Sequence, residues 1–367
     1  MPVLHGLVLL VACAAGQGCD PAPSNPFQDL KPIALDGRPH TGSGDSVALG
    51  WLTEGQVIRV KVSGVAAGRA LILVAEDAQP PTKGLLAGGG PLNAFFDYRV
   101  QVAGSYFVMG HEDPGISAGT YQWTFAVMPG DPDYHPPARQ IVRVIFEEGY
   151  LTDPGLVDPV SFSEEERQLM VAITDLVREG VVERLHQIFD GTPIVIQSED
   201  EPLPEVPFSQ LTFLGERRLA QEGDTWHLGE LRLGGEQKEC DDVVVFGEML
   251  PNGSFLDPGN RIFDDQAVVY VGSFQGRGEH CRSAVVSSIN NMILALAHTG
   301  AHEIGHLIGL HHVVLPDIMR WAPSAAFQRE LPLARAQVQR EGGGPMTVVT
   351  TLVQDPAFYF RANFDPP

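Results

Sequence analysis

Residues 301–312 read Ala301-His302-Glu303-Ile304-Gly305-His306-Leu307-Ile308-Gly309-Leu310-His311-His312. His302 and His306 are four residues apart, so on a helix both imidazoles project from one face at a separation that one metal ion can bridge. Glu303 points to the side, where its carboxylate can reach a metal-bound water without binding the metal. Gly309 can adopt the left-handed conformation that ends a helix, and this turn would return His312 as a third ligand.

Three neutral imidazoles leave the fourth position of a tetrahedral zinc ion open to water, as in catalytic rather than structural zinc sites. We therefore predict one catalytic Zn²⁺ held by His302, His306 and His312. His298 lies four residues before His302 and could hydrogen-bond the site or compete as a ligand, but a solvated or capped neighbour is the commoner case. His311 would be the third ligand if the turn were wound differently, although the spacing favours His312.

The run His-Glu-x-x-His-x-x-Gly-x-x-His resembles the metzincin superfamily of zinc peptidases. The second hallmark of that superfamily is a methionine in a tight turn beneath the metal. Met319, in the segment Pro316-Asp317-Ile318-Met319, is such a methionine. Asp317 is expected either to brace this turn or a ligand histidine, or to serve ordinary turn chemistry. The short connection to Met319 is most similar to the matrixin branch.

The resemblance covers roughly residues 140–340 and implies a twisted sheet with two helices above a small C-terminal subdomain. It implies that a strand ahead of the one over 267–273 forms the sheet edge that pairs with an extended peptide. It also implies amide hydrolysis, in which Glu303 accepts the water proton as general base and delivers it to the leaving amine. The expected function is a zinc-dependent endopeptidase acting on a protein or peptide substrate.

Two other functions stay open. The first is a non-proteolytic envelope adhesin or binding protein with an inert zinc domain. Inert relatives of zinc peptidases would be expected to lose the glutamate or a ligand, whereas all four residues are present here. The second is hydrolysis of a non-peptide amide, since zinc and a base do not choose the acyl group.

The expected fold class is multidomain, with an N-terminal all-β sandwich followed by an α+β metzincin-like domain that has a twisted mixed sheet, an active-site helix and a Met-turn. The predicted segments are an export signal or lipoprotein leader (1–19), a spacer (20–32), a β-sandwich accessory domain (33–128), a linker (129–138), the zinc peptidase domain (139–343) and a C-terminal tail (344–367). No sequence pattern predicts where the C-terminal tail lies in the fold.

Local patterns support this division. Residues 57–62 alternate apolar and charged side chains, which predicts a half-buried strand with Arg59 and Lys61 on the outer face. Aromatic-rich runs after glycine turns predict further short strands, which resemble the β-sandwich modules accompanying many secreted bacterial peptidases. Beyond the linker we predict a strand over 139–147, a long amphipathic helix over 164–189 that starts at a capping box, a second helix from near Ser287 and a final helix over 331–340.

The apolar run 6–15 near the N-terminus resembles an export signal. This run is too short to span a bilayer as a stable anchor. Cys19 is the favoured site of lipid attachment and Cys13 the second candidate, with simple secretion as the alternative. The protein is thus expected to be extracellular or a cell-envelope lipoprotein. Cys240 and Cys281 then remain as a pair in an oxidising compartment, where a disulfide is expected and thiolate metal ligation is the alternative.

The chain of 367 residues has 46 acidic and 24 basic residues, for a net charge of −22. There is no basic block, which argues against nucleic acid and against an anionic membrane surface as partners. Membrane contact is therefore expected only through the N-terminal lipid anchor. The acidity is compatible with bound Ca²⁺ but does not indicate it, and the sequence does not define an oligomeric state.

Overall fold

The structure is a computed structural model. It describes residues 46–64, 68–76, 82–88, 95–112, 121–129, 138–151, 164–216, 218–219, 244–245, 247–250, 264–274, 289–310, 312–313, 317–319, 333, 336–337 and 352–364. The predicted leader, the spacer and all four cysteines, including Cys19, Cys240 and Cys281, lie outside these residues. Within them, no helix combines the length and the apolar character needed to cross a membrane.

Seven strands lie in the N-terminal part: β1 (Ser46–Leu52), β2 (Val57–Gly64), β3 (Gly68–Glu76), β4 (Thr82–Gly88), β5 (Phe95–Arg99), β6 (Gly104–Glu112) and β7 (Tyr121–Met128). Strand β2 pairs antiparallel with β5 on one side and β7 on the other. The expected outward position of Arg59 on β2 is wrong, since Arg59 is buried together with Ile58 and Val60. Successive side chains of a strand point to opposite faces of its sheet, so the burial of all three residues shows that both faces of β2 are covered.

The second half of the chain forms a five-stranded sheet and two long helices. Its elements are β8 (Gln140–Phe146), α1 (Glu164–Ile188), β9 (Ile194–Ser198), β10 (Ser209–Leu214), β13 (Gly247–Leu250), β14 (Gln266–Tyr270) and α2 (Ile289–Leu307), with the short pair β11 (Arg218–Leu219) and β12 (Val244–Val245) between β10 and β13. The strand order is β13-β14-β10-β8-β9. Strand β13 is antiparallel to β14, whereas the other four strands are parallel, so the expected mixed sheet is confirmed. Its four parallel strands make it a sheet of the α/β type, where the sequence had predicted an α+β domain.

Both helices pack on one face of this sheet. Strand β8 alternates buried and half-buried residues, as its period of two requires when one face is covered. Helix α2 lies so close to β10 that a Cβ at Gly300 would be 3.0 Å from Leu211 Cδ2 and 3.1 Å from Phe213 Cζ. These contacts place α2 across the sheet centre, with its C-terminal end carrying the histidines.

The C-terminal segment contains β15 (Ala336–Gln337), β16 (Leu352–Gln354) and α3 (Pro356–Asn363). Strand β16 joins the N-terminal strands in a six-stranded sheet of order β1-β6-β3-β4-β16-β15. The helix predicted over 331–340 is wrong at Ala336–Gln337, because these residues pair with β16. The strand predicted over 267–273 ends at Tyr270 and continues as the 3₁₀ turn Val271–Phe274. The division into a β-sandwich domain and a catalytic domain stays a prediction.

Candidate metal centre

The three predicted ligands converge on one point. The Nε2 atom of His302 lies 3.0 Å from that of His306 and 3.1 Å from that of His312, and the last two are 3.1 Å apart. His302 and His306 come from successive turns of α2, while His312 comes from the loop beyond it. Among the described residues this is a cluster whose donor atoms can hold a metal ion.

Backbone carbonyls set the tautomers of two of these imidazoles. His302 Nδ1 is 2.7 Å from the carbonyl oxygen of Ile318, and His306 Nδ1 is 2.8 Å from that of Leu310. A carbonyl oxygen only accepts, so each Nδ1 carries the proton and each neutral ring directs an Nε2 lone pair at the common point. Burial lowers the pKa of His302 to about 4, although its bond to Ile318 opposes the shift. Converging lone pairs in a half-buried site fit a bound cation.

Gly309 makes the turn that the sequence predicts. Its φ is +88°, and its N–H donates to the His306 carbonyl at 2.9 Å, while the Leu310 N–H donates to Gly305 at 2.7 Å. These two bonds form a Schellman motif with Gly309 in the left-handed position. The helix therefore stops within three residues of His306, and the chain is turned back so that His312 meets the other two ligands.

Met319 lies directly against the helix that carries the ligands. A Cβ at Gly305 would be 2.2 Å from Met319 Sδ, and Met319 is fully buried. The Met319 N–H donates to Asp317 Oδ1 at 2.9 Å, which is the turn chemistry expected of an aspartate two residues earlier. The Val313 N–H donates to the Met319 carbonyl at 2.9 Å, which ties the turn to the loop containing His312.

Glu303 is buried, with 5% of its surface exposed, and its carboxylate packs against Gly247 of β13. Burial raises the pKa of Glu303 to about 8, and the nearby Glu248 carboxyl raises it further. A cation held by the three histidines would oppose this shift, because a nearby opposite charge favours the carboxylate. Glu303 thus follows His302 directly in the chain and is buried, so its pKa should fall when a cation binds the three histidines.

Sequence patterns did not point to β13 residues near the site. Glu248 accepts a hydrogen bond from the Tyr270 hydroxyl, and its Oε1 lies 3.4 Å from Arg218 Nε. Arg218 also donates its backbone N–H to Ser273 Oγ at 3.2 Å. These contacts join the edge strand β13 to β14 and β11. No motif or periodicity links these residues, since they come together only through the sheet order.

The other residues considered as metal ligands do not belong to this cluster or lie outside the described residues. His298 is buried, which excludes a solvated position, and it is outside the three-histidine cluster. His311 lies outside the described residues, as do the cysteines considered as thiolate ligands or as a disulfide. The geometry of the described residues therefore assembles His302, His306 and His312. It packs Met319 against α2 and packs Glu303, a residue of α2, against β13.

No protein-family model matches the sequence, and no curated protein matches it. The support for the metzincin resemblance is therefore structural. It consists of the cluster of His302, His306 and His312, whose spacing and geometry are compatible with a metal ion.

Proposed function

We propose that this chain is a zinc-dependent endopeptidase of the metzincin type, with His302, His306 and His312 as zinc ligands and Glu303 as general base. The observation that carries the proposal is the convergence of three Nε2 atoms at 3.0–3.1 Å. Ligand nitrogens about 2.0–2.1 Å from tetrahedral zinc lie roughly 3.3 Å apart, close to these separations. Among the described residues the cluster consists of three imidazoles, which is the ligand number of catalytic zinc sites.

When bound, zinc supplies a Lewis acid that polarises a carbonyl and acidifies water. Glu303 then accepts a proton from the attacking water and delivers it to the leaving amine. The contact with Gly247 limits where the carboxylate of Glu303 can lie. The carbonyls of Ile318 and Leu310 keep the imidazoles in the tautomer that presents Nε2 to the metal. Met319 packs against α2 at Gly305.

The position of β13 supports a peptide substrate. Among the described strands it is the antiparallel edge of the sheet, and it begins at Gly247, which touches Glu303. An edge strand can pair with an extended peptide through its free backbone groups, which would bring a peptide bond alongside the base. The proposed partner is therefore an unstructured protein or peptide segment, and nucleic acid is not proposed.

We also propose the organisation expected from the sequence. The N-terminal strands would form a β-sandwich accessory domain, and residues 139–343 the catalytic domain. The protein would be exported, either secreted or anchored through a lipid on Cys19, with a disulfide between Cys240 and Cys281. The segregation of β1–β7 and β8–β14 into different sheets supports the first of these proposals.

The test is metal content by mass spectrometry, measured beside casein cleavage with and without a chelator. Wild type should contain one equivalent of zinc and show chelator-sensitive cleavage. Glu303→Ala and the isosteric Glu303→Gln should keep the zinc and lose cleavage by at least about 10²-fold, the usual contribution of a general base. Cleavage retained in Glu303→Gln would contradict the mechanism, and zinc without cleavage in wild type would favour the binding-protein alternative.

A further inference from the structure

The C-terminal helix α3 contacts the end of the active-site helix. Tyr359 and Phe360 of α3, and Phe364 directly after it, belong to one buried cluster. The same cluster includes Ile304 and Leu307 of α2 and Ile308 directly after α2. Tyr359 is 1% exposed, and its hydroxyl donates a hydrogen bond to the carbonyl oxygen of Ile308 at 2.5 Å. No sequence pattern had placed this segment.

The acceptor of this bond is a group that the helix itself leaves unpaired. The last four carbonyls of a helix have no intrahelical partner, and here the Schellman bonds from Gly309 and Leu310 satisfy those of His306 and Gly305. Ile308 comes two residues after His306, directly after the end of α2, and is fully buried. Because an unpaired buried carbonyl is costly, the Tyr359 hydroxyl stabilises this particular conformation of the turn.

The same turn orients two metal ligands. Leu310, two residues after Ile308, provides the carbonyl that accepts the His306 Nδ1 proton at 2.8 Å. His312 follows two residues later and completes the cluster. A shift of the Ile308–Leu310 backbone would therefore move the partner of one ligand and the chain that carries another.

Tyr359 is itself held by elements far from the metal site. Helix α3 follows β16, which pairs in parallel with β4, with Leu352 opposite Lys83 and Val353 opposite Gly84. The Tyr359 N–H donates to the Asp355 carbonyl at 2.8 Å, where β16 ends and α3 begins. Burial raises the pKa of Tyr98 in β5, and the nearby phenols of Tyr106 and Tyr359 raise it further, which places Tyr359 close to the N-terminal strands.

We infer that Tyr359 is a positioning residue for the metal centre, acting through the Ile308 carbonyl on the turn that orients His306 and His312. The segment β16–α3 thereby connects the N-terminal six-stranded sheet to the metal-binding turn. This inference rests on the metal site of the proposed function but not on the peptidase reaction.

The test is the zinc affinity of the full-length Tyr359→Phe variant, measured by competition with a chromophoric chelator. Loss of an outer-shell hydrogen bond commonly weakens metal binding 10- to 100-fold, and we expect about 10-fold because Tyr359 acts through the backbone. Tyr150→Phe is the matched control: Tyr150 is buried in the same cluster, and its hydroxyl donates to the Thr174 carbonyl of α1 at 2.9 Å.

Both substitutions remove a buried tyrosine hydroxyl, so both should lower the melting temperature of the metal-free protein. Only Tyr359→Phe should weaken zinc binding, and this difference separates positioning from general stability. The inference would be overturned if Tyr359→Phe bound zinc as tightly as wild type, or if Tyr150→Phe weakened binding equally. A wild-type protein that bound no zinc would overturn the proposed function as well.

Discussion

The carboxylate of Glu303 lies against the backbone of Gly247, so closely that a Cβ at position 247 would be 2.5 Å from Glu303 Oε1 and 2.8 Å from its Cδ. One residue belongs to α2 and the other to the edge strand β13. The absence of a side chain at position 247 thus defines the space occupied by the proposed base. The carboxylate therefore lies beside β13, in space that a side chain at position 247 would occupy.

Gly247→Ala should therefore displace Glu303. We expect a loss of about 1–3 kcal/mol in the free energy of unfolding, as for other overpacked sites, together with a lower kcat for casein cleavage. Chemical denaturation and steady-state kinetics measure the two effects. In a Glu303→Ala background the added methyl group has room, so Gly247→Ala should cost little stability there. An equal cost in both backgrounds would show that Glu303 is not the group that excludes a side chain at position 247.

Gly305→Ala tests the contact between α2 and Met319. Alanine normally stabilises a helix by about 1 kcal/mol relative to glycine. Here its Cβ would be 2.2 Å from Met319 Sδ, so we expect destabilisation and weaker zinc binding instead. The change in stability should have the opposite sign in a Met319→Ala background, where Gly305→Ala should stabilise the protein. Thermal unfolding of the four proteins checks this, and a stabilising effect beside Met319 would contradict the packing described.

Gly309→Ala tests the left-handed turn. A non-glycine residue at a φ of +88° should cost about 1–2 kcal/mol. Because His312 follows this turn, zinc affinity should fall together with stability. Gly309→Asn is the matched control, since asparagine tolerates the left-handed region better and should lie between wild type and Gly309→Ala. If alanine and asparagine behaved alike, the loss would have to come from a cause other than backbone conformation.

Metal removal should lower the stability of the folded protein. A ligand that binds only the folded state adds about 2.7 kcal/mol when its free concentration is a hundred times Kd. Zinc should therefore raise the melting temperature of wild type, and a chelator should reverse the increase. His312→Ala removes a ligand that lies outside α2 and should abolish the zinc-dependent increment. A similar increment in His312→Ala would mean that the stabilising zinc binds elsewhere.

The helix with His302 and His306, the turn at Gly309 and the third ligand His312 could all be predicted from the sequence. Each follows from features of a stretch of about ten residues. The helix period of 3.6 residues places His302 and His306 on one face, and the conformational freedom of Gly309 allows the turn that leads to His312. The strand at 140–146 and the helix at 164–188 were predictable for the same reason, because periodic burial leaves a local signal.

Only the tertiary structure brought Gly247 to Glu303, Ile318 to His302 and Tyr359 to Ile308. These partners come from an edge strand, a loop and a C-terminal helix, whose positions follow from sheet order and core packing. Such contacts leave no spacing signal, since any residue of suitable size at another point of the chain can provide them. The sequence alone therefore determined which side chains are able to bind a metal, whereas the fold decided how those side chains are oriented and what confines the Glu303 carboxylate.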